Sequence, residues 1–382
     1  MNEQQNMDIE SQQLRDAVAR AVVGQEEVIE EVLIALLAGG HVLLEGVPGL
    51  GKTLLVRALA RAVSGEFARI QFTPDLMPAD VVGHVLYDMK AEEFTVRRGP
   101  VFTNLLLADE INRAPAKTQS ALLEVMQEYQ VTLEGEGMRV PLPFMVLATQ
   151  NPVEQEGTYP LPEAQRDRFL MKVVVGYPTP GEEVEIVQRM GVTPPVPREV
   201  LTMEGLAAIQ ALAERVFVPR EVVDYAVSLV LATREPERFA LADLRELVSY
   251  GASPRASLGL VAAGRALALM RGRTYVLPQD VFDVAPDVLR HRLVLSYEAL
   301  ARDIGVDDVL VRYLSTVPAP RVAPSQDPSA VSAMPRPHPS PSGGAGVITA
   351  APGAMLPPPT SPWAPTGQGD PRPTGTDDPT AR

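Results

Sequence analysis

Eight consecutive residues, Gly46-Val47-Pro48-Gly49-Leu50-Gly51-Lys52-Thr53, follow the pattern G-x-x-x-x-G-K-[ST]. Their types suit one chemistry. Gly46, Gly49 and Gly51 let a tight loop bring its backbone N–H groups onto phosphate oxygens. Lys52 can reach the outer phosphates of a nucleoside triphosphate, and the Thr53 hydroxyl can ligate Mg²⁺. Leu54–Val63 follows, with Leu55, Leu59 and Ala62 on one helical face, so the loop opens into a helix whose N-terminus adds partial positive charge. A second stretch, Leu105-Leu106-Leu107-Ala108-Asp109-Glu110, reads as an apolar strand ending in two carboxylates. In phosphate-loop proteins an Asp at the end of a neighbouring strand supports Mg²⁺. Glu110 is placed to orient and deprotonate a water, which points to hydrolysis rather than transfer to a substrate. A third strand ends in Ala148-Thr149-Gln150-Asn151-Pro152. There the Asn151 amide can hydrogen-bond an attacking water or the last phosphate.

These residues need a scaffold that delivers strand ends to one edge. Short apolar runs occur at His41–Glu45, Ala68–Phe72, Leu105–Ala108, Phe144–Ala148 and Met171–Val175, separated by helix-length segments. Runs of that length predict a parallel sheet covered by helices on both faces. From Leu201 to Leu314 only helical periodicity is visible, as in Leu206–Val216, Arg220–Thr233 and Ala256–Met270. Leu122, Val125, Met126 and Tyr129 form a core stripe. Thr179-Pro180-Gly181-Glu182 reads as an N-cap with a reciprocal Glu, and Ser253-Pro254 as a second N-cap that puts Arg255 in a first helical turn. The fold class is therefore α/β, followed by an all-α part. The expected limits are a nucleotide-binding domain at 1–190, a helical lid at 198–316 and a Pro-rich tail at 318–382. Of 37 prolines, 17 lie from Pro318 onward. That composition predicts a disordered tether; the alternative is that the tail, which holds the only tryptophan, Trp363, is a polyproline II ligand for an aromatic groove.

Composition narrows the partners. The 382 residues carry a formal charge of -14 and contain no cysteine, which excludes disulfides and thiolate chemistry. Four arginines and four aspartates balance in the tail, so the acidity belongs to the folded part and argues against nucleic acid. The apolar run Val32–Leu44 is too short and too broken to span a membrane. The acidic first ten residues show no secretory leader, and the expectation is a cytoplasmic protein. His41, His84 and His291 lack metal-ligand spacing, and neither zinc nor histidine catalysis is assigned.

Together these blocks resemble the AAA+ ATPases and, within them, the MoxR family. The resemblance also uses Leu161-Pro162-Glu163-Ala164-Gln165, Asp167-Arg168-Phe169 and Gly251-Ala252-Ser253-Pro254-Arg255, and spans about residues 8 to 316. It implies ATP and Mg²⁺ as ligands, with Gly46–Thr53 and Leu54 around the phosphates and Thr53 and Asp109 serving the metal. It implies Glu110 as base, Asn151 as first sensor, Arg168 as an arginine reaching the next subunit's ATP, and Arg255 as second sensor on the lid. Arg166 also flanks Asp167, so either arginine could act in trans; the competing reading is an ion pair with Asp167 or Glu163. Val23-Gly24-Gln25 resembles the segment lying over adenine, which makes Gly24 a binding candidate. Phe94–Phe102 and Val131–Val140 look like hairpin insertions, with Glu134, Glu136, Met138 and Arg139 as candidates for pore or partner contact. A homo-oligomeric ring, hexameric in the family, is implied. So is chaperone-like remodelling of client proteins, including proteins with von Willebrand factor A domains. The alternatives are the motor subunit of a metal-chelatase-like complex, a nucleic-acid motor, or a binding module that scarcely turns over.

Overall fold

The computed structural model describes residues 3–89, 92–133, 135–151, 158–190 and 197–321. Helices α1 (Glu3–Ala21) and α2 (Glu26–Leu37) lead into β1 (Val42–Glu45), α3 (Lys52–Ala62), β2 (Phe67–Gln71), α4 (Pro78–Val82), β3 (Gly83–Asp88) and β4 (Glu93–Arg98). Next come β5 (Leu105–Asp109), α5 (Ala116–Glu128), β6 (Gln130–Leu133), β7 (Glu136–Arg139), β8 (Met145–Gln150), α6 (Glu163–Arg166), β9 (Met171–Val174) and α7 (Pro180–Met190). The helical part holds α8 (Met203–Arg215), α9 (Arg220–Ala232), β10 (Val248–Tyr250), α10 (Pro254–Met270), α11 (Pro278–Leu289), β11 (Val294–Leu295), α12 (Tyr297–Ala301) and α13 (Val306–Thr316).

The five apolar runs form one parallel sheet in the order β2-β5-β8-β1-β9. Side chains alternate between two cores, as strand geometry requires. Val42, Leu44, Leu105, Leu107, Met145, Leu147, Met171 and Val173 pack with α1, α2 and α3. Leu43, Ile70, Leu106, Ala108, Val146 and Ala148 face α5, where Leu122, Val125 and Met126 are buried and Tyr129 is partly buried. Because both faces are covered, the strand interiors carry almost no polar residue.

The core under the first face continues into the helical part, through Leu206 and Ile209 of α8 and much of α10. Gln210 Nε2 donates to Leu36 O of α2 at 2.7 Å across this junction. Both expected N-caps form. Thr179 N donates to the Glu182 carboxylate at 2.6 Å. Ser253 Oγ accepts from Arg255 N at 3.1 Å, which puts Arg255 in the first turn of α10.

Two expectations are corrected. The stretch read as wholly helical contains a short antiparallel ladder, β10 with β11. Its three- and two-residue strands are too brief for periodicity to reveal, and they pair only because the intervening helices bring them together. The first hairpin insertion begins earlier than Phe94: β3 pairs with β4 from Gly83↔Arg98 to Asp88↔Glu93. Gly83 and Gly99 close its base, where a Cβ on Gly83 would lie 2.3 Å from Arg97 O and one on Gly99 2.3 Å from Val81 O. The second insertion is the β6–β7 hairpin, with Glu134 outside the described residues. Pro152, most of the 190–198 linker, and the chain from residue 322 onward also lie outside them.

His41 has a structural place. Its Nε2–H donates to Met126 O at 3.0 Å, and Nδ1 accepts from Val146 N at 3.0 Å, so the imidazole is held neutral. Burial pushes its pKa down to about 4. A depressed histidine adds stability that is complete above the unfolded value near 6.5 and lost as pH falls from there to about 4, worth about 3 kcal/mol. Partly buried Glu31 works in the opposite sense. Burial, and then Asp287, raise its pKa to about 9, so it favours the native state on acidification. The difference between wild type and His41→Gln isolates the histidine. Urea midpoints measured from pH 7.5 to 4.5 should fall more steeply in wild type, and parallel curves would refute the assignment.

Candidate nucleotide site

Residues 46–51 bridge β1 and α3 at the carboxyl edge of the sheet. Gly51 caps α3 in the left-handed region, φ 74°, and Gly49 has φ 88°; nothing lies within 4 Å of a Cβ built on either. Their requirement is conformational, and the space beside them is open. Gly46 is demanded by contact, since its Cβ would meet Val175 O at 2.7 Å. The loop is tethered on three sides. Gly46 N donates to Gln150 O at 3.3 Å, Val175 N to Glu45 O at 2.7 Å, and Gln25 Nε2 to Leu50 O at 2.8 Å.

Lys52 Nζ donates to the Gly46 and Val47 carbonyls, the latter at 3.3 Å. Partial burial lowers its pKa, and Asp109, Glu110 and Glu45 oppose that shift. An ammonium held against loop carbonyls, with an open glycine-lined space beside it, suits a triphosphate. Thr53 follows on the same first turn, and Leu54 packs partly into the core.

β5 and β8 supply the acids and the amide. Thr149 is the link between them. Its hydroxyl donates to Asp109 Oδ1 at 2.6 Å and accepts from Glu110 N at 2.8 Å. Glu110 sits just past the strand with φ 55°, an unusual conformation for a residue with a Cβ, held by that bond. Asp109 Oδ2 accepts from Arg69 Nη2 at 2.6 Å, and Glu110 Oε2 accepts from Gln71 Nε2 at 2.8 Å. Arg113 Nε adds a contact of 3.1 Å to Glu110. Asn151 is buried one residue past β8, beside β1, where Gln150 is in register with Glu45. Lys52, Thr53, Asp109, Glu110 and Asn151 therefore come from the ends of two adjacent strands, β5 and β8, and from the helix that follows their neighbour β1. Thr53 and Asp109 form a hydroxyl-and-carboxylate pair fit to hold Mg²⁺ when phosphates complete its shell.

Sequence reasoning missed Arg69, Gln71 and the role of Thr149. Arg69 and Gln71 alternate on β2, a pattern that could have marked them as one polar face of an otherwise apolar sheet. Their partners depend on strand order.

The remaining candidates lie elsewhere. Gly24, φ 74°, approaches the Glu182 side chain, where a Cβ would come within 2.9 Å. Arg168 Nη1 donates to Leu123 O of α5 at 2.8 Å, and Arg166 Nε is buried with no hydrogen-bond partner among the described residues. Arg255 is exposed on α10. Neither Arg168 nor Arg255 hydrogen-bonds to residues 46–54. The expected competing ion pair of Arg166 or Arg168 with Asp167 does not form, because Asp167 is taken by Arg292 at 2.7 Å and Ser253 at 2.8 Å.

Residues 41–171 match the family described as "ATPase family associated with various cellular activities (AAA)", and residues 240–312 match the AAA lid domain. The chain is 58% identical over 305 residues to Chaperone MoxR1 of Mycobacterium tuberculosis, covering 80% of this chain and 81% of that protein. It is 44% identical over 305 residues to an uncharacterized protein, YeaC, of Bacillus subtilis, covering 79% and 92%. The crystal structure of a putative ATPase from Cytophaga hutchinsonii superimposes with a TM-score of 0.79 at 43% identity, covering 83% of this chain and 97% of that one. No described helix is long and apolar enough to cross a membrane. The matched ranges include the phosphate loop, the acidic strand and much of the helical part, and the chain belongs to the MoxR family of AAA+ ATPases.

Proposed function

We propose that this ATPase uses ATP hydrolysis to remodel or assemble client proteins, working as a chaperone in a homo-oligomeric ring. The observation that carries the hydrolytic part is the Thr149 hydroxyl, which sets Asp109 and Glu110 at fixed positions beside the Lys52 loop. The chaperone part rests on similarity to a protein named Chaperone MoxR1. A hexamer, and clients with von Willebrand factor A domains, belong to the same reading. In it, residues 1–190 form the nucleotide domain and 198–316 the lid.

Loop N–H groups of Gly49 to Thr53, together with Lys52, hold the β- and γ-phosphates. Mg²⁺ held near Thr53 and Asp109 supplies positive charge to the phosphate oxygens. Glu110 takes the proton of a water directed at the γ-phosphorus, and Asn151 orients that water or the γ-phosphate. Gln71 and Arg113 hold the Glu110 carboxylate at rest and must release it for this step. Arg168 of a neighbouring protomer neutralises charge as the phosphoryl group departs, an effect worth on the order of 10³–10⁵ in rate for phosphate-loop enzymes. For that it has to leave the Leu123 carbonyl. Arg255 contacts the nucleotide from the lid, and Gly24 borders the adenine.

Glu110→Gln should still bind ATP and lose turnover; undiminished turnover would remove Glu110 as the base. Thr149→Val keeps the side-chain shape and frees both acidic residues. Its kcat should fall about 10²-fold, the scale for one preorganised hydrogen bond, with ATP affinity nearly unchanged. Specific activity should rise with protein concentration as assembly, followed by light scattering, proceeds. Arg168→Ala should abolish activity where Arg166→Ala does not. Concentration-independent activity insensitive to both arginines would overturn the ring.

A further inference from the structure

The turn 167–170, between α6 and β9, is fastened to the helical part by side chains of that part, and its one carboxylate, that of Asp167, takes two of them. Asp167 Oδ1 accepts from Arg292 Nε at 2.7 Å, and Oδ2 accepts from the Ser253 hydroxyl at 2.8 Å. The Arg292 side chain is only 4% exposed. Its guanidinium also donates to the carbonyls of Asp167 at 3.3 Å, Phe169 at 2.7 Å and Leu170 at 3.0 Å, and to that of Val288. A single arginine from the loop between α11 and β11 therefore holds three residues, Asp167, Phe169 and Leu170, of the turn carrying Arg168.

Ser253 is the second fastening. It is the N-cap of α10, and its oxygen accepts from Arg255 N at 3.1 Å while its proton goes to Asp167. One hydroxyl thus connects the turn bearing Arg255 to the turn bearing Arg168. Buried ion pairs add little net stability, because desolvation offsets their attraction, but breaking one leaves an unpaired buried charge, so their geometry is held tightly. The backbone at Arg255 and the turn bearing Arg168 are joined through Ser253 and Asp167.

We propose that Asp167 is a positioning residue that couples the two arginines: by gripping Ser253 and Arg292 together, it makes the Arg168 turn move with α10. Nucleotide engaged by Arg255 in one protomer then sets the position of that protomer's Arg168 on the next protomer's nucleotide. The inference rests on the ring reading above. It adds a direction of signalling, from a site in cis to a site in trans, through a hydroxyl and a carboxylate that touch neither nucleotide.

Ser253→Gly removes the hydroxyl and leaves a residue well tolerated at an N-cap. Ser253→Thr keeps the hydroxyl, and Asp167→Asn keeps the shape and removes the charge. The steady-state ATPase rate is measured against ATP concentration at protein concentrations that assemble, beside binding of a fluorescent ATP analogue. Wild type should respond cooperatively to ATP. Ser253→Gly and Asp167→Asn should bind the analogue within twofold of wild type, lose about tenfold in kcat, and show a Hill coefficient near one. Ser253→Thr should restore rate and cooperativity. If Asp167→Asn fails to fold, the Ser253 pair still decides the matter. A wild-type response without cooperativity overturns the inference. So does a Ser253→Gly variant with unchanged kcat and Hill coefficient, or one whose analogue binding falls in step with its rate. If Arg168→Ala keeps full activity in the same assay, the ring reading fails and takes the inference with it; if Arg168→Ala is inactive while Ser253→Gly is normal, only the coupling fails.

Discussion

A parallel sheet covered on both faces has little room for chemistry except at its ends. In β1, β5 and β8 every buried side chain is apolar except that of Thr149, whose hydroxyl is hydrogen-bonded, because helices pack on either side. An unpaired polar group placed there would cost more than one strand's packing could offset. The polar residues are therefore expelled to the carboxyl edge, where Glu45, Asp109, Thr149, Gln150 and Asn151 emerge side by side. The phosphate loop begins at that same edge, so the site follows from how the sheet must be covered.

Charge at this edge is balanced within the chain. Lys52 rests on its own loop carbonyls, Arg69 on Asp109, and Gln71 and Arg113 on Glu110. Each acid is held by partners within the chain, and the Thr149 hydroxyl fixes both the Asp109 carboxylate and the Glu110 backbone. Preorganised dipoles of this kind spare the reorganisation that water would require during reaction. The strained backbone at Glu110 is part of the same device, since the Thr149 bond holds it.

The helical part is joined to the α/β part by two different kinds of contact. A continuous apolar core runs from under the sheet into α8 and α10, and it is non-directional. The Asp167–Arg292–Ser253 cluster is directional and specific. Apolar packing tolerates small rotations, whereas a buried charged pair resists them. The turn at Asp167 is therefore held to the helical part by oriented bonds, where the rest of the junction is held by packing.

The amino-acid order by itself determined the local features. These were the phosphate loop, the five buried strands, the two N-caps and the apolar stripe on α5, each read from a contiguous stretch with its own period or turn chemistry. It also determined the kind of chemistry, because a Gly-rich loop ending in Lys-Thr suits little besides phosphate. The tertiary structure decided the pairings. Arg69 meets Asp109 and Gln71 meets Glu110 across strands, and Asp167 meets Arg292 across the whole helical part. It likewise decided the β10–β11 ladder, and that Asp167 pairs with Arg292 rather than with its neighbours Arg166 and Arg168. The reason is physical. A period or a cap is set by neighbours in the chain, whereas an ion pair between distant residues exists only once strand order and helix packing have brought them within reach.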